Sequence, residues 1–201
     1  MMNQSGLDQI LSQCARLMAK RGFHGTAMRD LAHTTGRSLS GLYHYFENKE
    51  QLLYLINQRG FSSLLKTARE VHAQKLSPEQ TLYALIDNHV RYFAGHTNEM
   101  RVMMFGTLAL GRARQTEISA LKNDYAGLVS QAVAHAHHAC TGADLDAAAL
   151  SRKTFFLFGM MNWIYGWYSS AEHGSRQVLV DDIFHTFIGG LQNTHDAEAA
   201  A

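Results

Sequence analysis

The chain has 201 residues, 46% of them hydrophobic and 17% charged, with a formal net charge of +1. That balance supports a folded core and excludes a disordered or collagen-like chain. The single proline, Pro78, argues against a sandwich or barrel, which need many turns, and for an all-α fold. The charge is uneven: residues 1–60 carry seven Lys/Arg against four Asp/Glu, and the remaining 141 carry eleven against thirteen. A modestly basic N-terminal part suits contact with phosphate. Cys14 and Cys140 form no metal or redox motif, and residues 1–6 are too polar for a secretory signal, so a cytoplasmic location is expected. The strongest apolar run, residues 154–168, is interrupted by Asn162 and is shorter than the ~18 residues that suggest a membrane span, so no membrane partner is expected.

Leu7, Ile10, Leu11, Cys14, Leu17 and Met18 recur at helical spacing, and Gly22 after Lys20 and Arg21 stops that helix. A second helix is expected to start at Thr26 as N-cap and to run through Met28, Leu31 and Ala32 to about Thr35, where Gly36 breaks it. Ser38 caps a short third helix over residues 39–45. Asn48 caps a fourth that begins at Lys49, carries Leu52, Leu53, Leu55 and Ile56, and runs towards Ala73. Ser77 as cap and Pro78 at the first helical position open the fifth. Helical patterns follow over residues 79–94, 98–108, 114–138, 146–172 and 175–193, which gives about nine helices and no strand. The expected organisation is an N-terminal three-helix domain, residues 1–48, then a larger helical domain, residues 49–195. A disordered tail, residues 196–201, would end the chain.

Residues 26–46 read as helix, short turn, helix. Gly36 supplies the left-handed conformation that a tight turn needs, and Ala32 lets the two helices cross closely. Leu31, Leu42, Tyr45 and Phe46 can pack the pair onto the first helix. That leaves Ser38, Leu39, Ser40, Gly41, Tyr43 and His44 on the start and outer face of the third. This block resembles the TetR family: Thr26, Leu31-Ala32, Gly36, Leu42-Tyr43-His44-Tyr45-Phe46 and Lys49 follow its pattern, and Lys20-Arg21-Gly22-Phe23 matches its first helix end. Arg37 departs, standing where the family usually has a small apolar residue; either it points outward to a phosphate or it loosens the turn. The resemblance implies a helix-turn-helix DNA-binding domain whose third helix enters the major groove. The DNA contacts it implies are Thr26, Arg29, Ser38, Leu39, Ser40, Gly41, Tyr43, His44 and the backbone at Lys49. Thr26 and Ser38 as simple caps, Tyr43 as partly core and His44 as a solvated residue are the plainer readings.

The resemblance further implies a C-terminal domain that binds a small effector and forms a homodimer through its last two helices. Leu150, Phe155, Phe158, Leu179, Ile183, Phe187, Ile188 and Leu191 are available for packing, and Gly159, Gly166, Gly189 and Gly190 allow close approach. The Asn162-Trp163 to Trp167-Tyr168 segment is similar to regulators of that family that respond to acyl-CoA thioesters. An effector pocket is then expected from Met103, Met104, Phe105, Leu108, Phe156, Met160 and Trp163, with methionines adapting to a flexible apolar ligand. The same side chains read equally as plain core. Arg101, Arg112, Arg114 and Arg152 are candidate partners for a CoA phosphate.

The chain has no nucleophile elbow, phosphate-binding loop, His-Glu-x-x-His or dinucleotide fingerprint, so no enzymatic activity and no cofactor are expected. His135 and His138 share a helix face near Cys140, but a metal there would need a third ligand, and a helix end already suits histidine; no metal is assigned. The function expected is a dimeric, ligand-responsive transcriptional repressor on a palindromic double-stranded operator. The alternatives are a regulator answering to a hydrophobic drug or a metal, and a helical interaction protein without DNA binding.

Overall fold

The computed structural model describes residues 4–105 and 107–192, without the side chains of Gln4, Ser5 and Phe105. Residues 196–201, expected to be a disordered tail, lie outside the described residues. Ten α-helices and two short 3-10 turns make up the described residues, with no strand among them. The α-helices are α1 (Gln4–Arg21), α2 (Met28–Thr34), α3 (Leu39–Tyr43), α4 (Lys49–His72), α5 (Pro78–Gly95), α6 (Thr97–Phe105), α7 (Arg112–Thr141), α8 (Ala147–Asn162), α9 (Ser170–His173) and α10 (Arg176–Gln192). None of the described helices is long and apolar enough to cross a membrane.

Packing gathers the chain into two units. One takes the residues up to Ser63 together with 96–123; the other takes 64–95 together with 124 onward. In the first unit Ile10, Leu11, Cys14, Ala15 and Met18 of α1 are buried with Leu31, Leu42, Phe46, Leu52, Leu53, Ile56, Met100, Met103 and Ile118. A large apolar side chain buried in this way stabilises by about 1.5–3 kcal/mol. The Cys14 thiol is pushed up to about 12 by burial, so it stays protonated as a core residue. Glu99 on α6 is buried too, and Ser12 on α1 donates to it at 2.6 Å, so the carboxylate is not left without a partner.

In the second unit α10 lies against α5 and α8. Leu179, Ile183, Phe187, Ile188 and Leu191 are all buried within the chain, so the apolar stripe of α10 expected at a subunit interface is already used internally. The fifth helix opens as its sequence implies: Ser77 Oγ accepts from the Gln80 N–H and Gln80 Oε1 accepts from the Ser77 N–H, with Pro78 at the first helical position.

One element differs from expectation. Residues 146–172 do not form a single helix: α8 ends at Asn162, a 3-10 turn spans Trp163–Gly166, and only the single turn of α9 follows. Two causes act together. Trp163, Ile164 and Tyr165 have modest helix propensity and are followed by Gly166. The Asn162 side chain is also held by His89 at 3.2 Å, fixing the point where the helix ends.

Candidate nucleic-acid interface

The turn between α2 and α3 closes as a Schellman motif. The Gly36 N–H donates to His33 O at 3.2 Å, the Arg37 N–H donates to Ala32 O at 3.0 Å, and Gly36 takes φ +65°. Arg37 does not loosen this turn. Its guanidinium lies over the Tyr45 ring, 4.8 Å from the centroid. Ser38 then caps α3, its Oγ accepting from the Gly41 N–H at 3.0 Å and standing 3.1 Å from Ser40 Oγ. A Cβ at Gly41 would meet Ser38 Oγ at 3.1 Å, so a larger residue there would press on the cap.

Only five residues form α3, two fewer than the sequence suggests. Leu42 is its single fully buried residue; with Leu31 and Phe46 it anchors the helix. Ser38, Ser40, Tyr43 and His44 are exposed, and Leu39 and Gly41 are half-buried. Tyr43 keeps 47% of its surface accessible despite its size, so it is no core residue. Arg29 on α2 is exposed as well.

Thr26 takes a different place from the one expected. Ala27, not Thr26, holds the N-cap position of α2, and the Asp30 carboxylate accepts from the Ala27 N–H at 3.1 Å. Thr26 is 1% exposed and its hydroxyl donates to Gly22 O at 2.8 Å, which closes the end of α1 and leaves no surface for a phosphate. The Lys49 ammonium donates to the carbonyls of Phe23 and Thr26 at 2.6 and 2.8 Å and lies 4.4 Å from the Phe23 ring centroid. Its charge therefore fastens the loop before α2 to the start of α4. Asn48 caps α4 as expected, accepting from the Gln51 N–H at 2.8 Å.

One link in this unit was not foreseen. Glu50, in the first turn of α4, accepts from the Gly111 N–H at 3.0 Å and from Arg114 at 3.2 Å. The Gly111 amide, with Arg114 beside it, holds the Glu50 carboxyl below its ordinary range. Tyr54, one turn on, donates to Glu117 at 2.6 Å. Arg114 is thus already paired, whereas Arg101, Arg112 and Arg152 are exposed.

The expected effector residues fall in both units. Met103 is buried in the first, Met104 and Leu108 are exposed there, and the Phe105 side chain lies outside the described residues. In the second unit Phe156 and Trp163 are exposed. Met160 and Trp163 line an open concavity of about 400 Å³ with Gly159, Trp167, Leu179 and Ile183. Phe158 and Asn162, in the same stretch of α8, belong to a buried polar chain. His89 is enclosed by Phe93, Tyr125 and Phe158, with Nδ1 3.1 Å from Tyr125 Oη and Nε2 3.2 Å from Asn162 Oδ1. Burial pushes its imidazole down to about 3, so the ring is neutral. Tyr125 O–H donating to Nδ1 and Nε2–H donating to Asn162 Oδ1 then satisfies both ring nitrogens. The signal for this chain was in the sequence: His89 stands among Leu85, Ile86, Val90 and Phe93 on one apolar face, and Asn162 interrupts an apolar run.

The histidines near the end of α7 face two ways. His137 is buried against Thr141, whereas His135 and His138 are exposed and line one concavity with Asp144, to which His138 is paired at 2.9 Å. Among the described residues no three His, Cys, Asp or Glu side chains stand together as a metal site.

The fold and the exposed third helix define a helix-turn-helix protein. Residues 10–56 match the family model of bacterial regulatory proteins of the tetR family, and residues 75–191 match that of the tetracyclin repressor-like C-terminal domain. The chain belongs to the TetR family. It is 35% identical to the transcriptional repressor KstR2 of Rhodococcus jostii over 78 residues, 39% of this chain and 38% of that one. To the fatty acid metabolism regulator protein of Bacillus subtilis it is 24% identical over 90 residues, 45% of this chain and 46% of that one. The chain thus matches less than half the length of these curated relatives. Among solved structures, a TetR-family regulator from Bordetella parapertussis superposes with TM-score 0.84 at 24% identity, covering 92% of this chain and 95% of that one. AibR in complex with isovaleryl coenzyme A and operator DNA superposes with TM-score 0.76 at 24% identity, covering 90% and 97%. At such identities the likeness is one of fold.

Proposed function

We propose that this chain is a dimeric transcriptional repressor that binds a two-fold operator and is released by an acyl-CoA thioester or a similar apolar effector. The observation that carries the DNA-binding part is the short α3. It is pinned by Leu42 and Phe46, capped by Ser38, and turns Ser38, Ser40, Tyr43 and His44 to the outside. Hydroxyl groups and an imidazole on such a surface suit phosphates and base edges, and nothing in a protein core needs them there. Arg29, Ser38, Leu39, Ser40, Gly41, Tyr43, His44 and the backbone at Lys49 remain the proposed contacts. Thr26 is withdrawn because it is buried.

In this reading residues 1–48 bind DNA, and residues 49–195 bind effector and partner, within the cytoplasm where the DNA is. The effector class draws on relatives: AibR was solved with isovaleryl coenzyme A, and one curated relative is a fatty acid metabolism regulator. Met160 and Trp163, which line the concavity of the second unit, stay as candidate contacts with Phe156 of the same unit. A thioester would act only if it favours one arrangement of the dimer over the other.

The test is a gel shift of the purified protein on its own upstream DNA, with and without acyl-CoA thioesters of graded chain length. Binding that a thioester releases is the expected outcome. Binding that no thioester changes removes the acyl-CoA effector and keeps the repressor; no binding to that DNA or to any member of a random-sequence pool removes the repressor as well.

A further inference from the structure

Arg37 occupies an unusual position for a free cation. Its backbone is committed, since its N–H closes the turn onto Ala32 O. Its neighbour Ser38 is equally committed as the cap of α3. Its side chain is exposed, yet the guanidinium is laid on the Tyr45 ring at 4.8 Å, and Tyr45 itself is half-buried. The other arginines of this unit that have a charged partner are turned to carboxylates: Arg21 to Asp30, Arg59 to Asp8 and Arg114 to Glu50. Arg37 has no carboxylate within ion-pair distance among the described residues. Stacking on an aromatic face engages the plane of a guanidinium and leaves its N–H edges for an anion, with the side chain already ordered.

We propose that Arg37, held by Tyr45, is a pre-positioned contact to a DNA backbone phosphate beside the reading helix. This rests on the DNA-binding reading and adds a residue and a role to it. A phosphate oxygen accepts from the N–H edge while the ring supports the opposite face, so the contact is electrostatic and indifferent to sequence. Such a contact releases a counterion, and each one steepens the fall of log K with log salt by about 0.9.

The experiment is fluorescence anisotropy of wild-type, Arg37→Ala, Arg37→Gln and Arg37→Lys proteins on two labelled duplexes, the protein's own upstream DNA and a random sequence of equal length, between 50 and 200 mM KCl. Arg37→Gln keeps a planar polar group on a shorter side chain while removing the charge, which covers the case where Arg37→Ala disturbs the turn. The expected result is a slope lower by about 1.8, one phosphate for each Arg37 of the dimer, for Ala and Gln on both duplexes, with affinity weaker by up to about thirtyfold, the scale of two exposed ion pairs. Arg37→Lys keeps the slope. Unchanged slopes for both neutral variants overturn the proposal, as does a loss confined to the upstream duplex, which would make Arg37 a reader of bases. Wild-type protein that binds neither duplex overturns the DNA-binding reading and this inference together.

Discussion

His89 shows how a single buried residue sets the pH response of its surroundings. The folded chain holds its imidazole neutral down to about 3, whereas the group titrates ordinarily at 6.5. As the pH falls through that interval the unfolded chain takes up the proton first. The stability that neutral His89 supports is therefore complete above about pH 6.5 and is lost progressively towards pH 3, at up to about 1.4 kcal/mol per pH unit. Melting temperatures measured at pH 7.5, 6, 5 and 4 should fall more steeply for the wild type than for His89→Gln, which lacks this proton site. Parallel curves for the two proteins would refute the assignment. Other residues show where sequence reasoning reached its limit. The cap roles of Ser38, Asn48 and Ser77 were legible because a cap is a bond over three residues. The burial of Thr26 was not legible, because its hydroxyl is turned back to Gly22 by the loop that Lys49 fastens from 23 residues away.

At the scale of elements, the α2–α3 turn depends on one backbone conformation. Gly36 stands at φ +65°, and a Cβ placed there would meet nothing within 4 Å. Replacement by Ala is thus a test of backbone strain without steric clash. Gly36→Ala should destabilise by about 1–2 kcal/mol, read as a shift of the urea midpoint with unchanged slope, and Gly36→Asn should cost less because Asn tolerates the left-handed region. Equal midpoints for wild type and Gly36→Ala would mean that the turn does not need that conformation. The break of the expected 146–172 helix belongs to this scale too. Its helical pattern runs on past Asn162 in the sequence, and the tertiary hydrogen bond from His89 to Asn162, acting with the modest helix propensity of residues 163–166, sets where the α-helix gives way to a 3-10 turn.

At the scale of the whole molecule, the proposed dimer must be made by surface that the single chain leaves uncovered. Phe155 is 67% exposed, Phe156 66% and Trp163 60%, all on α8 or the turn after it, whereas the apolar residues of α10 are largely buried inside the chain. Large apolar side chains clustered on one exposed region mark a surface for association. Size-exclusion chromatography with light scattering should give twice the chain mass of 22.5 kDa for the wild type and a shift towards a single chain for Phe155→Glu with Trp163→Glu. A wild type of single-chain mass, or a double variant that remains paired, would move the interface elsewhere. By itself the sequence determined the all-α class, the helix-turn-helix, most helix limits and the family, because periodicity, caps and a glycine turn are interactions within a few residues of chain. The tertiary structure alone decided which apolar stripes are core and which are uncovered, that Arg37 rests on Tyr45, that Glu50 answers Gly111 and Arg114, and that His89 is buried neutral. Apart from Arg37 and Tyr45, eight residues apart across the turn, these are pairings between residues far apart in the chain, or the outcome of competition for the same buried surface, and no local pattern encodes which partner wins.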